Sequence, residues 1–342
     1  MQNRKTGPDC VRALAIFCVV LLHAVSLGGG LADAPVSLSF AGKVYLRQLS
    51  LACVPLFLML SGYLQRGRKP DAHHYRSILR PLVSYFLISI LCEICYAYAF
   101  SDLTFPMAVY KLFDFTANGY AWYFEMYIGL FLLIPFLNMI WAGAGTKKAR
   151  AILLCTLAFL TLLPDTVVSF APYYDPTDAT LALQIIPSFF KSMYPVAYYF
   201  AGCWLAEYPL RFSAPAKFAF AVCAPLVPTA LCVAYTAARG EYAWYMMNGF
   251  QTLTAAATAF FLFAWLADTE KRPSPLAFSA RLIAKNAFEM YLFSYLWDTA
   301  AYQFLHLPMY LGIPFVFLGS FLSAFVLNFL LSLVFWRQKT QK

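Results

Sequence analysis

Long runs of apolar residues, separated by short polar segments, dominate this chain. A helix needs about 20 mostly apolar residues to cross about 30 Å of hydrocarbon, and about ten runs approach that length. They predict membrane spans at 11–29, 44–64, 78–100, 120–141, 149–170, 187–207, 217–236, 243–267, 282–303 and 311–336. The pattern therefore predicts an all-α, polytopic integral membrane protein, with residues 1–342 forming one membrane domain and no separate soluble domain.

The composition supports a bilayer as the solvent of this protein. The chain is 62% hydrophobic and 12% charged, and its mean hydropathy is +0.65. An average soluble protein carries about 25% charged residues and cannot hide this much apolar surface in its interior. A soluble enzyme, a disordered tail and a secreted disulfide scaffold are thereby excluded. Cys92 and Cys95 lie one turn apart inside an apolar run, so we interpret them as buried hydrophobic residues and predict no metal site.

The net charge of +9 is distributed in short clusters between the apolar runs. There is no basic stripe interleaved with aromatic residues, so we predict no nucleic-acid partner. If the N-terminus is inside, 20 of the 25 Lys and Arg residues lie on the inner side. The positive-inside rule then predicts that both termini are cytoplasmic, in a multi-pass protein of a bacterial-type plasma membrane.

The first 34 residues resemble a signal peptide, because two basic residues precede an apolar run that ends in Ala32-Asp33-Ala34. Proline is a poor fit directly after a cleavage site, yet Pro35 occupies that position. The apolar run also contains His23. We therefore expect an uncleaved first helix.

That first helix places a guanidinium and an imidazole on one face. Arg12 and His23 are eleven residues apart, which is three turns plus about 20°, or about 16 Å along the axis. An arginine near the inner surface suits phosphate groups, and an imidazole can take a proton from a hydroxyl. The alternative is an interfacial arginine that obeys the positive-inside rule and a histidine that merely bonds to a neighbour.

Two glutamates are predicted at the same depth as His23. Counting 1.5 Å per residue, Glu93 and Glu125 lie about 20 Å from the inner surface and His23 about 17 Å. A carboxylate at this level could orient the imidazole, and Glu125 is the preferred candidate. Each glutamate could instead hold helices together. Glu289 lies deeper toward the cytoplasm and Asp298 nearer the outside, and each could be a packing contact or a rim residue.

The second predicted span ends in a cationic segment on the cytoplasmic side. Ser61 and Gly62 permit close backbone approach and supply a hydroxyl. The cations that follow are Arg66, Arg68, Lys69, Arg76 and Arg80. They form either an ordinary cytoplasmic loop or a docking surface for a polyphosphorylated donor.

Several of these motifs resemble the membrane-bound acyltransferase 3 family. Asp9 to Ala15 with His23 resembles its opening, Val54 to Tyr63 its second motif and Arg76 to Pro81 its third. The stretch from Trp122 to Leu130, which includes Tyr123 and Glu125, resembles its middle helix. The family often has histidine after Tyr-Leu-x near the C-terminus, and this chain has Ser294 there.

The resemblance implies transfer of an acyl group, usually acetyl, from cytosolic acyl-CoA to a hydroxyl of a cell-surface or lipid-linked carbohydrate. It implies acyl-CoA as donor substrate and no bound cofactor. His23 and Glu125 would be catalytic. The expected substrate-binding residues are Arg12, Ser61, Arg66, Arg68, Arg76, Arg80, Trp122 and Tyr123. Some relatives carry an extracytoplasmic hydrolase-like domain, so this chain either transfers directly or passes the acyl group to a separate transferase.

A transporter or flippase for a glycan precursor is the main alternative, because carriers also use intramembrane His and Glu residues. Inverted repeats of helix pairs would favour transport, and the sequence shows none.

Overall fold

The computed structural model describes residues 6–32, 35–100, 103–169, 187–267 and 275–340. Within these residues every regular element is helical. The α-helices are α1 Gly7–Gly28, α2 Leu38–Ser50, α3 Cys53–Gln65, α4 Ala72–Arg76, α5 Leu79–Phe100, α6 Phe105–Phe113, α7 Trp122–Gly143, α8 Lys147–Thr161, α9 Leu163–Val168, α10 Tyr194–Glu207, α11 Ala214–Cys223, α12 Leu226–Arg239, α13 Leu253–Ala267, α14 Pro275–Asp298 and α15 Met309–Thr340. A 3₁₀ turn at Lys191–Met193 precedes α10, and a π-helical turn at Thr299–Phe304 follows α14.

Seven helical stretches in the described residues are long and apolar enough to cross a membrane. They are Gly7–Gly28, Leu38–Gln65, Ala72–Ala99, Trp122–Gly143, Lys147–Val168, Ala214–Arg239 and Met309–Leu333. They overlap seven of the ten predicted spans. The other three predictions fall on α10, α13 and α14, of which the first two have only 14 and 15 residues. The third, α14, carries Arg281, Lys285, Glu289 and Asp298.

Four of the seven spans are interrupted by short turns, and a proline lies at or within four residues of each turn. The Leu38–Gln65 stretch breaks at Leu51 and Ala52, between α2 and α3. Pro55, three residues later, has no amide hydrogen to donate back to the Leu51 carbonyl oxygen. The Ala214–Arg239 stretch breaks in the same way at Ala224 and Pro225, between α11 and α12.

The predicted span at 243–267 is wrong over its first ten residues, 243–252. Gly240 ends α12 in the left-handed region, with φ of 75°, and α13 begins only at Leu253. Residues 240–252 are turns and irregular backbone, yet Ala243 and Met246 are buried. Non-helical backbone at this depth requires polar partners from the protein itself. Gln48 of α2 provides one, because its Nε2 donates to the Met246 carbonyl oxygen at 3.1 Å.

Helix α1 lies at the centre of the bundle and packs against α2, α3, α13, α14 and α15. Ala15, Ile16, Val20 and Ala24 on this helix are fully buried. The segment that resembles a signal peptide is therefore part of the core. The predicted stripe between Arg12 and His23 accordingly faces protein.

Two glycines let α3 and α10 cross with their backbones in contact. A Cβ added to Gly62 would lie 1.8 Å from the Tyr199 carbonyl oxygen, and one on Gly202 would lie 1.9 Å from that of Met59. Neither position can hold a side chain without moving the opposite backbone. Small residues at such crossings are the usual means of close packing in membranes.

Candidate active site

A cavity of about 460 Å³ opens among α1, α3, α5, α7, α14 and α15. Three cations line it: Arg12 from α1, Arg80 from α5 and Lys285 from α14. No two of these are on the same helix, so the tertiary fold assembles the positive wall. Such a wall suits the phosphate groups of an anionic substrate.

Arg80 is held by a hydrogen-bonded chain that includes a buried carboxylate. Its Nη2 donates to Asn328 Oδ1 at 2.7 Å. Asn328 Nδ2 donates to Glu289 Oε2 at 2.9 Å, and Glu289 Oε1 accepts from Ser84 Oγ at 3.0 Å. Glu289 is only 5% exposed. The chain orients the guanidinium at the cavity and satisfies the buried acid.

Tyrosines form an aromatic wall in the same cavity. Tyr123 packs edge-on against Tyr291, with ring centroids 5.6 Å apart, and stacks on Tyr127 at 6.2 Å. Ser61 also lines the cavity, but its Oγ donates to the Phe57 carbonyl oxygen of its own helix at 3.1 Å. The cavity therefore combines a cationic wall with one suited to an uncharged chain.

His23 lies further along α1, outside the cavity lining, in a second polar cluster. Its ring stacks on Tyr120, with centroids 3.9 Å apart and an angle of 16°. The Tyr120 hydroxyl donates to Asp298 Oδ2 at 2.8 Å, and Asp298 is fully buried. Arg47 of α2 is near enough to His23 to interact with it electrostatically. The acid connected to the imidazole through a neighbour is thus Asp298.

The two glutamates predicted at the depth of His23 do not line the cavity. Glu125 is exposed and does not line the cavity, while the adjacent Phe124 is fully buried and does. Successive residues of a helix are rotated by about 100°, so Glu125 points away from the cavity that Phe124 lines. Glu93 is buried and forms an ion pair with Lys111, whose Nζ lies 3.5 Å from Oε1. The role of Glu125 beside His23 stays a prediction, and the structure gives this side chain no place in the cavity.

Most of the predicted cationic cluster remains on the surface. Arg66, Arg68 and Arg76 are exposed and do not line the cavity. Arg66 Nη1 donates to the Tyr63 carbonyl oxygen at 2.6 Å. Only Arg80 of this cluster reaches the cavity.

The two aromatic residues predicted to bind substrate pack edge-on against each other, with ring centroids 6.1 Å apart, and only one of them lines the cavity. Tyr123 lines the cavity. Trp122 is 39% exposed and stacks on Phe250, with centroids 5.5 Å apart. Sequence reasoning missed Lys285 and Asn328 completely. It noted Glu289 only as an intramembrane acid.

The fold defines a multi-pass helical membrane protein with a cation-lined cavity. The family model described as an acyltransferase domain, that of the acyltransferase 3 family, matches residues 5–337. The chain belongs to this family and is a membrane acyltransferase. No curated protein and no solved structure gives a significant match to the chain. The family assignment favours the enzyme over the transporter alternative.

Proposed function

We propose that the protein transfers an acyl group, in the first instance acetyl, from cytosolic acyl-CoA to a hydroxyl of a cell-surface or lipid-linked carbohydrate. One observation carries the proposal. Helix α1 lines the cationic cavity with Arg12 and, three turns further on, turns His23 into the protein interior against Tyr120.

The cavity supports acyl-CoA as the donor. Arg12, Arg80 and Lys285 would bind its phosphate groups, since each can donate charge-assisted hydrogen bonds to phosphate oxygens. The pantetheine arm, which is long and largely uncharged, would lie along the tyrosine wall with Tyr123. The thioester at its end would then approach His23.

His23 is suited to activating the acceptor. It would accept the proton of the acceptor hydroxyl as the oxygen attacks the thioester carbonyl. The C–S bond breaks, an ester forms, and the CoA thiolate leaves with that proton. Transient acylation of His23 is a second route with the same overall balance. In both routes Tyr120, anchored to Asp298, holds the imidazole in place.

The proposed topology supports a cytosolic donor and an acceptor on the opposite side. Seven candidate spans together with α10, α13 and α14 make ten crossings. With ten crossings and the cationic segments inside, both termini are cytoplasmic. The membrane is then a bacterial-type plasma membrane, and the acyl group passes directly to the acceptor or through a separate extracytoplasmic transferase.

The test uses membranes containing the protein, supplied with acetyl-CoA radiolabelled in the acetyl group. We expect label to appear in the glycan fraction, and its release by mild alkali will identify an ester. His23→Ala is expected to abolish labelling while the protein remains inserted and abundant. Full labelling by His23→Ala would contradict the proposed mechanism, and no labelling by the wild type would contradict the function.

A further inference from the structure

Arg47 is a cation within a membrane span that the proposed reaction does not use. It lies nine residues into the Leu38–Gln65 stretch, about 14 Å along the helix. Its Nη1 donates to Asn248 Oδ1. Among the described residues no Asp or Glu oxygen lies within ion-pair distance of its guanidinium. A charge at this depth is costly and is usually matched by an opposite charge or serves a function.

The partner of Arg47 is built into the irregular segment between α12 and α13. Asn248 directly follows Met247, which has a left-handed backbone with φ of 46°. Gln48, the neighbour of Arg47 in sequence, binds the Met246 carbonyl oxygen of the same segment at 3.1 Å. The fold thus fixes a guanidinium against a neutral amide and leaves its charge uncompensated by the described part of the chain.

Lys43 is a second cation on α2, and its contact differs from that of Arg47. It lies one turn before Arg47, and its Nζ donates to the Gly29 carbonyl oxygen at 2.7 Å, at the end of α1. This contact caps the helix end, where a cation is favourable. Arg47 lies in the last turn of α2, but its guanidinium binds the Asn248 side chain rather than a helix-end carbonyl oxygen.

Unpaired polar groups also lie on the side of His23 that packs against Tyr120. Helix α2, which carries Arg47, packs against α1, which carries His23, through a cluster that includes Val25 and Val44. Beyond His23, Asp298 Oδ1 and the Tyr302 hydroxyl are buried and have no hydrogen-bond partner among the described residues. Buried polar atoms normally have partners, so unpaired ones next to a reacting group indicate where a ligand's polar groups bind. A carboxylate oxygen and a phenol suit the hydroxyls of a carbohydrate.

We propose that Arg47, positioned by Asn248, is the anion-binding subsite for the acceptor. A carboxylate or phosphate of the carbohydrate binds the guanidinium while one of its hydroxyls faces His23. The preferred acceptor is therefore an acidic carbohydrate. This inference rests on the proposed acyl transfer, because it assigns the second substrate of the same site.

The test measures binding of three matched probes to the full-length protein purified in detergent: a glucoside, the glucuronide with the same aglycone and the glucoside 6-phosphate. A charge-assisted contact predicts that the wild type binds at least one anionic probe about tenfold or more tightly than the glucoside. The two anionic probes distinguish carboxylate from phosphate as the source. We expect the preference to vanish in Arg47→Gln and to persist in the matched control Lys43→Gln.

Asn248→Asp provides a second variant that keeps the local shape. It places a carboxylate on the guanidinium and should remove the anion preference as completely as Arg47→Gln. Equal affinity of the wild type for all three probes, or a preference that survives both substitutions, would overturn the inference. The inference would also be overturned if Arg47→Gln lowered kcat equally for neutral and acidic acceptors. That result would indicate that Arg47 stabilises the reacting carbonyl oxygen. An intact anion preference without acyl transfer counts against the proposed function alone.

Discussion

Deleting one oxygen atom, that of the Tyr120 hydroxyl, breaks the contact between Tyr120 and Asp298. Tyr120→Phe deletes the hydroxyl that donates to Asp298 Oδ2 at 2.8 Å and keeps the ring that stacks on His23 at 3.9 Å. Asp298 is fully buried, and its Oδ1 already lacks a partner among the described residues. After the substitution neither oxygen has one there.

The magnitude follows from that burial. Leaving a buried polar group without its partner costs about 1–3 kcal/mol. We therefore expect the free energy of unfolding of Tyr120→Phe to fall by about 2 kcal/mol. We also expect kcat for acyl transfer to fall about tenfold, because the support of the imidazole loosens. The KM for acetyl-CoA should stay unchanged, since Tyr120 does not line the cavity.

Thermal unfolding in detergent and steady-state kinetics measure both effects. Tyr295→Phe is the matched control, because the Tyr295 ring packs edge-on against Tyr120 at 5.2 Å and the Tyr120–Asp298 bond does not involve its hydroxyl. It should change the free energy of unfolding by less than about 0.5 kcal/mol. If Tyr120→Phe unfolds and turns over like the wild type, Tyr120 and Asp298 do not position His23.

Three further variants test the cavity, the helix register and the packing. Asn328→Ala removes the acceptor of Arg80, so the KM for acetyl-CoA should rise severalfold with little change in kcat, as measured by initial rates. Glu125→Gln should keep activity within about twofold of the wild type, because the side chain is exposed; a large loss would contradict its placement. Gly202→Val should lower the yield and the unfolding temperature, since its Cβ would lie 1.9 Å from the Met59 carbonyl oxygen. Retention of wild-type stability would show that α3 and α10 separate at low cost.

The sequence predicted the features that depend on one helix at a time. Apolar runs located seven spans, and the spacing of Arg12 and His23 correctly predicted that both belong to one inward face of α1. Helical periodicity is a local property, so it can be read without knowledge of the neighbours.

Features that depend on several helices were not predictable from this sequence. Depth along the axis placed Glu125 level with His23, but which way a side chain points depends on how α7 is rotated in the bundle. Lys285 and Asn328 meet Arg80 only through packing of α14 and α15. Likewise the irregular segment at 240–252 is apolar enough to resemble a helix, and only its contacts with α2 explain its conformation.

The central proposal is that two residues of α1 have separate roles. Arg12 binds the donor, and His23 carries out the transfer. The most direct test of this proposal is a comparison of kcat and KM for acetyl-CoA in Arg12→Gln and His23→Gln. The account predicts that Arg12→Gln raises KM at least tenfold with kcat largely retained. It predicts that His23→Gln binds acetyl-CoA normally and gives no detectable transfer. The reverse pattern, or near-normal kcat in His23→Gln, would contradict the account.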